Sequence, residues 1–203
     1  MKRPGSTIAD QSIPRRVVLD ACVLYPPSLR DLLLTVAALD AFEVVWSERI
    51  LAEVERYVLA DNADIDPERF RRHTLGAMRA AFPDATAEPL AEDELDARDI
   101  DPGDRHVVAA AVAAGADAIV TINVRHFPAA ALNPVGIAVL TPGFLLDMLE
   151  TLQPSLVDQA LDAMSRRWKN PPRTSGEILN LLMVHPTMAE PVALIKQRRS
   201  PAR

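Results

Sequence analysis

The sequence predicts an α/β fold with a mostly parallel sheet of about five strands. Short runs rich in Val, Ile and Leu alternate along the chain with longer segments of helical periodicity. Such alternation is the pattern of strand–helix–strand units, which form parallel sheets. After residue 150 only helical patterns follow. We therefore divide the chain into a flexible N-terminus at residues 1–15, an α/β domain at residues 16–150 and a helical C-terminal extension at residues 151–203.

The first predicted strand, residues 16–20, ends in a carboxylate. The residues just before Asp20 are an uninterrupted apolar run, which is typical of a strand buried on both faces. A loop containing two prolines follows over residues 21–28. Ser28 is a favoured N-cap residue and predicts a helix over residues 29–39, where leucines recur at helical spacing.

The second predicted strand, residues 43–46, leads into the helix that carries a second acid. Ser47 is the predicted N-cap, and apolar residues recur at helical spacing over residues 48–59. Glu53 lies beside that apolar stripe. Three further segments are predicted before the centre of the chain: a helix over residues 67–81, a strand over residues 85–90 that contains Pro89, and an acidic surface segment over residues 92–99.

The central stretch, residues 101–128, contains a helix start, a buried helix, a tight turn and a buried strand. Asp104 precedes a run of Val and Ala without charge, which predicts a helix buried on most sides. Gly115 is predicted to end it, because glycine adopts the positive φ of a helix C-terminus without strain. Residues 118–121 form the next strand, and Asn123 follows it. A last strand over residues 136–140 and a helix over residues 142–150 complete the domain.

The C-terminal extension is predicted to be helical and basic. Residues 151–203 contain eight Lys or Arg and four Asp or Glu, a charge of +4, and because the whole chain carries −6, residues 1–150 carry −10. Thr174 and Glu177 form a T-x-x-E capping box. The predicted helices cover residues 154–168, 178–183 and 188–197.

Composition argues against several classes of protein. The chain has one cysteine, Cys22, so no disulfide can form within it, as is usual in a reducing cytosol. The basic N-terminus lacks the apolar run of a signal peptide, and no uninterrupted apolar segment is long enough to span a bilayer. An acidic body with a basic tail argues against general coating of nucleic acid and permits acids concentrated at a metal site. We expect a cytoplasmic protein that does not enter membranes.

Four polar residues are predicted to converge beyond the carboxyl ends of the strands, where open α/β sheets bind their ligands. They are Asp20, Glu53, Asp104 and Asn123. Clustered carboxylates repel one another unless a cation is present. Mg²⁺ and Mn²⁺ are hard cations that prefer oxygen ligands, and such a metal can activate a water for attack on phosphorus.

Each of these residues also has a simpler interpretation when it is taken alone. Asp104 at a helix start is compatible with an N-cap, Glu53 with a solvated helix residue and Asn123 with a turn. Asp20 is harder to explain structurally, because an unpaired acid directly after a buried apolar run is costly. The joint order of the four residues favours the metal site.

Four motifs in this order resemble the PIN-domain nucleases, and most closely the VapC-type toxins. They are VVLDACVLYP, WSERILAEV, DPGDRHVVAAA and IVTIN followed by a Phe-Pro turn, and the resemblance covers about residues 16–150. It implies a three-layer α/β/α fold and an Mg²⁺- or Mn²⁺-dependent ribonuclease that a cognate antitoxin inhibits. By this resemblance Asp20, Glu53 and Asp104 are the three acids of the site, with Asp20 and Asp104 as direct metal ligands, and Asn123 occupies the fourth position.

Two residues depart from the pattern of this family. Asn123 stands where relatives usually have an acid, so the site carries −3 in place of −4, which favours one metal over two. His126 stands where many relatives have Asp, and we expect it to make a local hydrogen bond in preference to a phosphate contact.

Several other residues are assigned structural roles. Asp101 is interpreted first as a turn residue, His106 as the partner in a structural hydrogen bond, and Cys22 as unreactive because no base for it is indicated. Position 22 also lacks the second acid of a haloacid-dehalogenase phosphatase. No glycine-rich phosphate loop follows the first strand, which argues against a nucleotide cofactor. The basic cluster at residues 166–173 is interpreted as solvated, with RNA or antitoxin contact as the alternative.

The resulting hypothesis is a metal-dependent endoribonuclease, the toxin of a toxin–antitoxin pair, whose partners are RNA and an antitoxin. A homodimer is a further expectation from the family resemblance. One alternative is a catalytically weak PIN-like module, disabled by Asn123, that binds RNA or protein. A second is a metal-dependent phosphatase or DNA nuclease that uses the same carboxylates.

Overall fold

The structure is a computed structural model that describes residues 12–91 and 99–200. Its sheet has four parallel strands in the spatial order β2-β1-β3-β4. The strands are β1 (Arg16–Leu19), β2 (Glu43–Val45), β3 (Ala118–Val120) and β4 (Ala138–Leu140). The predicted α/β class with a parallel sheet is confirmed. The N-terminus up to residue 11 and most of the predicted acidic segment, residues 92–98, lie outside the described residues.

Strand β1 is central, and its register places the carboxyl ends of the strands at one edge. Val18 pairs with Val45 of β2 on one side and with Ile119 of β3 on the other. Every residue of β3, and every residue of β1 after Arg16, is fully buried. Because successive residues of a strand point to opposite faces, this burial means that both faces of the sheet are covered, as in a three-layer α/β/α arrangement.

Eleven helices are formed by the described residues, together with 3₁₀ turns at Val124–His126 and Asn133–Val135 and a π-helical turn at Arg71–Leu75. The helices of the α/β part are α1 (Ala21–Leu24), α2 (Pro27–Ala38), α3 (Glu48–Asp61), α4 (Pro67–Phe70), α5 (Gly76–Ala81), α6 (Arg105–Ala114), α7 (Ala129–Leu132) and α8 (Pro142–Leu152). Those of the C-terminal extension are α9 (Pro154–Arg167), α10 (Ser175–Met183) and α11 (Ala189–Arg199). Within the described ranges, no helix is both long and apolar enough to cross a membrane.

Several predicted helix ends are confirmed by their backbone and side-chain geometry. Ser47 caps α3 by accepting a hydrogen bond from the backbone N of Ile50 at 3.2 Å. Thr174 and Glu177 form both bonds of the capping box that begins α10. Gly115 ends α6 with a φ of 59°, in the left-handed region that glycine occupies without strain.

The predicted cap at Ser28 is wrong. Helix α2 begins at Pro27, and proline suits this first helical position because its φ is already helical and no N–H is lost there. Ser28 is therefore inside the first turn, where its Oγ lies 2.7 Å from Nε2 of His185 in the C-terminal extension. Residues 21–24, which were predicted to be part of a loop, form the single turn of α1.

The predicted strand over residues 85–90 is reduced to a single parallel bridge between Trp46 and Thr86. The backbone N of Trp46 donates to the carbonyl of Ala85 at 2.9 Å, and the N of Ala87 donates to the carbonyl of Trp46 at 2.8 Å. Residues 88–90 are exposed, and Pro89 has no N–H to continue the pairing. The described sheet therefore has four strands and not about five.

The C-terminal helices pack on α2 and α8 and extend the same hydrophobic core. Leu161, Met164 and Leu182 are fully buried in it. Asp31 of α2 accepts hydrogen bonds from Arg167 at 2.6 Å and from the indole of Trp168 at 2.7 Å. The division at residue 151 stays a prediction.

Candidate active site

Asp20 lies at the junction of β1 and α1 and is almost completely buried. Its backbone N donates to the carbonyl of Val120 at 3.1 Å, which continues the sheet pairing one residue past the strand. Its side chain is 3% exposed. Oδ2 accepts hydrogen bonds from Oγ1 of Thr121 at 2.7 Å and from Sγ of Cys22 at 3.0 Å. These two bonds fix the orientation of the carboxylate at the carboxyl edge of the sheet.

Thr121 and Cys22 also hold the loop that follows β3. Oγ1 of Thr121 accepts a bond from the backbone N of Asn123 at 3.0 Å, and Sγ of Cys22 accepts one from the N of Ile122 at 3.4 Å. Burial, followed by the charge of Asp20, raises the pKa of the Cys22 thiol to about 12. The thiol is therefore protonated at neutral pH, where it serves as a hydrogen-bond donor and not as a nucleophile.

Asp104 occupies the N-cap position of α6 but does not cap the helix with its side chain. Its Oδ2 instead lies 2.7 Å from Nδ1 of His126. Burial raises the pKa of the Asp104 carboxyl, and the negative charges of Asp20 and Asp101 raise it further, against the lowering effect of His126. The interpretation of Asp104 as a simple cap is wrong, because its side chain contacts His126 and makes no capping bond to the helix.

His126 is oriented by its neighbours on both sides of the ring. Nε of Arg125 donates to Nε2 of His126 at 3.3 Å, and Nδ1 of the same ring faces Asp104. Asp101 accepts a bond from the N of Gly103 at 2.9 Å, as expected for a turn residue. Among the described residues, one ligand atom each from Asp101, Asp104 and His126 lie within 4.8 Å of one another, a distance compatible with a shared cation. The predicted local hydrogen bond of His126 is thus made to a proposed metal ligand.

Glu53 approaches the start of α6 from helix α3. Its Oε2 lies 3.4 Å from Nε2 of His106, and the two side chains are 20% and 2% exposed. Burial raises the pKa of Glu53, but His106 and the positive charges of Arg56 and Arg49 outweigh it, so the pKa is lowered overall. Within the described part of the chain, neither ring nitrogen of His106 has a hydrogen-bond partner. The hydrogen bond predicted for His106 is therefore not formed, and the ring lies instead within ion-pair range of Glu53.

Asn123 stands half-buried at the start of the 3₁₀ turn Val124–His126, and its side chain makes no capping bond there. Its backbone is well held, because its N donates to Thr121 and its carbonyl accepts the N of His126 at 2.9 Å. Asn123 thus positions the turn that carries His126. A role of its side chain in the site stays a prediction.

The predicted acids lie in three groups. Asp20 contacts Thr121 and Cys22, Asp104 lies with Asp101 and His126, and Glu53 lies beside His106. The charge of Asp20 contributes to the raised pKa of Asp104. Glu53 lies 3.4 Å from His106 in the first turn of α6, which Asp104 precedes. Asp20 and Glu53 do not belong to the group of three close ligand atoms found among the described residues. Sequence reasoning did not foresee that Thr121 and Cys22 bind Asp20 or that His126 binds Asp104, since no spacing in the sequence signals these contacts.

Comparisons with known proteins agree with the resemblance seen in the sequence. A PIN domain family model matches residues 16–125. A Mycobacterium tuberculosis protein with the name "Putative ribonuclease VapC50" is 42% identical over 80 residues, which are 39% of this chain and 47% of that relative. The chain thus spans about half the length of the curated relative that it matches. No solved structure gives a significant match.

Proposed function

The chain belongs to the PIN-domain family, and we propose that it is a metal-dependent endoribonuclease that acts as the toxin of a toxin–antitoxin pair. The observation that carries this proposal is the group of ligand atoms from Asp101, Asp104 and His126, which lie within 4.8 Å of one another. The pKa of Asp104 is raised by burial and by the charge of Asp20. A fold that places two carboxylates together is stabilised when a cation binds between them. The similarity to a protein named as a ribonuclease supports RNA as the substrate.

The donor set fits a hard divalent cation. Asp20 and Asp104 would hold it through carboxylate oxygens, and Asp101 and His126 have ligand atoms in reach of Asp104. Carboxylate oxygens suit Mg²⁺ and Mn²⁺, and an imidazole is compatible with Mn²⁺. A cation bound here supplies charge neutralisation for the phosphate and lowers the pKa of a water molecule.

Other side chains of the protein have separate roles in the proposed reaction. Thr121 and Cys22 hold the Asp20 carboxylate in one orientation. Glu53 is ionised at neutral pH, since its pKa is lowered from an ordinary value of 4.5, and an ionised carboxylate can orient an attacking water and accept its proton. Asn123 helps to fix a water or the cation. The attack of water on phosphorus leaves a 3′-hydroxyl and a 5′-phosphate.

The test is cleavage of total RNA by the purified protein with Mg²⁺, with Mn²⁺ and with EDTA. Asp20→Asn and Asp104→Asn are compared with wild type, and Asp64→Asn, which removes the same charge from an exposed position, is the matched control. We expect metal-dependent cleavage by wild type and by Asp64→Asn, and none by the two site variants. Equal cleavage by all four proteins would contradict the proposal.

The uncharged Asn123 favours a second candidate, a PIN-like module that binds RNA or protein without efficient cleavage. This module would show no cleavage with either metal and would keep RNA affinity in Asp20→Asn. Asn123→Asp, which restores the usual acid, would then produce activity. A metal-dependent phosphatase or DNA nuclease is distinguished by offering DNA and a phosphomonoester under the same conditions.

The antitoxin partner, a homodimer and a cytoplasmic location are also proposals that rest on the family resemblance. Co-expression with the protein encoded beside this chain, followed by co-purification and loss of ribonuclease activity, would support the antitoxin. Sedimentation of the purified chain measures its oligomeric state.

A further inference from the structure

Two tyrosines and an arginine form a partly exposed patch outside the cluster of acids. The rings of Tyr25 and Tyr57 meet edge to face, with centroids 6.4 Å apart and an interplanar angle of 81°. The guanidinium of Arg56 stacks 4.8 Å from the centroid of the Tyr57 ring and donates to its hydroxyl at 3.2 Å. We call Tyr25, Tyr57 and Arg56 the tyrosine platform.

The platform is held by side-chain contacts and remains accessible. The hydroxyl of Tyr25 donates to Oδ2 of Asp61 at 2.7 Å, which ties the end of α1 to the end of α3. Tyr57 is 42% exposed, although a large aromatic side chain gains free energy from burial. The guanidinium of Arg56 adds a flat cationic surface to this ring. Such a prearranged surface loses little conformational entropy when a flat ligand binds to it.

The platform adjoins the candidate active site along helix α3. Tyr57 follows Glu53 by four residues, so the two side chains are neighbours on one face of the helix. Tyr25 directly follows α1, whose N-cap is Asp20. Arg56 is close enough to Glu53 to lower the pKa of that carboxyl. A polymer that reaches the acids along α3 therefore passes over the platform.

We propose that the tyrosine platform binds an unpaired base of single-stranded RNA beside the acids, a role that rests on the proposed ribonuclease function. Unpaired bases stack on tyrosine rings and on arginine planes, and arginine also attracts the phosphate backbone. Arg49, which is exposed and stands four residues before Glu53, adds a second positive charge to this face. Although residues 1–150 carry a net charge of −10, this face of α3 presents two cations. Cations beside aromatic rings favour a nucleic acid over an apolar peptide.

The test measures binding and not cleavage. A short unstructured RNA labelled with fluorescein is titrated with the full chain in EDTA, and its anisotropy gives the Kd. Because base stacking on one aromatic side chain has a large effect on affinity, we expect Tyr57→Ala to raise the Kd at least about fivefold. Tyr57→Phe, which keeps the ring, should restore most of the affinity, whereas Tyr57→Leu, which keeps only an apolar side chain, should not.

The arginine is tested through the salt dependence of binding. Arg56→Ala should reduce the slope of log K against log salt concentration by about 0.7, the value for one phosphate contact on a single strand. Arg69→Ala removes the same charge from an exposed position on α4 and is expected to leave the slope unchanged. Circular dichroism melting curves of each variant establish that the proteins are folded.

Equal RNA affinity of wild type and folded Tyr57→Ala would overturn the proposal. A change in sedimenting mass of Tyr57→Ala, together with unchanged RNA affinity, would assign the platform to contact with a second copy. The two proposals fail separately, because the platform can bind RNA in EDTA even if no metal supports cleavage. Conversely, metal-dependent cleavage with unchanged affinity of Tyr57→Ala would retain the nuclease and reject the platform.

Discussion

Oγ1 of Thr121 donates a 2.7 Å hydrogen bond to Oδ2 of Asp20, a residue 101 positions away in the chain. Both residues are buried: Thr121 is completely buried, and Asp20 is 3% exposed. The bond joins the ends of the two central strands and aligns the acid on which the proposed chemistry depends. A charged acceptor in a buried place makes this bond stronger than one between neutral groups.

Removal of this hydrogen bond should weaken the fold and the metal site together. Thr121→Val has nearly the same shape but leaves Oδ2 of Asp20 without one donor, so we expect a loss of about 1–3 kcal/mol in the free energy of unfolding. Urea denaturation measures this loss, and calorimetric titration with Mn²⁺ measures the weakened binding. Thr151→Val, at an exposed position in the last turn of α8, should change neither quantity. A variant with wild-type stability would show that the bond contributes little.

Because the pKa of Asp104 is raised, we predict that Asp104→Asn is more stable than wild type without metal and less stable with it. An acid whose pKa is raised in the folded state lowers stability as pH rises from its ordinary value of 3.8 through the folded value, and the full penalty applies at neutral pH. Asp104→Asn lacks the penalty and can still accept the bond from His126. We expect it to melt at a higher temperature than wild type at pH 7 in EDTA, with the difference vanishing in acid.

Added Mn²⁺ should reverse the order of the two melting temperatures. The cation binds to the folded wild type and stabilises it by mass action, whereas Asp104→Asn has lost a ligand. Thermal melts over a series of Mn²⁺ concentrations measure the crossing. Parallel shifts of both proteins would contradict the assignment of Asp104 as a metal ligand.

His126 should favour Mn²⁺ over Mg²⁺. An imidazole near carboxylate ligands suits a transition metal better than Mg²⁺, which prefers oxygen alone. We expect His126→Asp, which introduces the acid that we expect in many relatives, to lower the ratio of Mn²⁺ to Mg²⁺ affinity. The electron paramagnetic resonance signal of free Mn²⁺ in competition with Mg²⁺ measures the ratio. An unchanged ratio would leave His126 with only its hydrogen bond to Asp104.

His106 should serve Glu53 and contribute little to stability by hydrogen bonding. Since its buried nitrogens have no hydrogen-bond partner among the described residues, His106→Phe should lose only the stabilisation that the ring gives to the ionised Glu53, and this loss should disappear in acid. The same change removes one of the groups that lower the pKa of Glu53, so the acid limb of the cleavage rate against pH should move to higher pH. A loss of stability by His106→Phe that persists in acid would instead assign the ring a structural role.

Cys22 should be unreactive in the native protein. A thiol with its pKa raised to about 12 supplies almost no thiolate at neutral pH. We expect slow reaction with a thiol reagent at pH 7.5 and rapid reaction after unfolding in urea. Cys22→Ser keeps a donor toward Asp20 and should retain metal affinity, whereas Cys22→Ala should lose part of it. Rapid labelling of the folded chain would show that the thiol is ionised.

Patterns within short segments were sufficient to predict the main elements of the fold. Buried strands, helix caps such as Ser47 and the stop at Gly115 depend on neighbours within a few residues, and so the sequence determined them by itself. The parallel sheet follows from the alternation of these elements, and the order of the acidic motifs predicted the PIN family. The pattern failed at Ser28, where an adjacent proline begins the helix, and at residues 85–90, where pairing depends on how far the chain follows Trp46.

Only the tertiary structure decided which side chains contact the acids. The partners of Asp20, Asp104 and Glu53 come from other elements, with separations of 101 residues for Thr121 and 22 for His126. Nothing in a local pattern records such contacts, because they form when strands and helices come together and not within any one of them. Burial and the repulsion of neighbouring charges likewise exist only in the folded chain, so the raised pKa of Asp104 and the orientation of its carboxylate are properties of the packed structure.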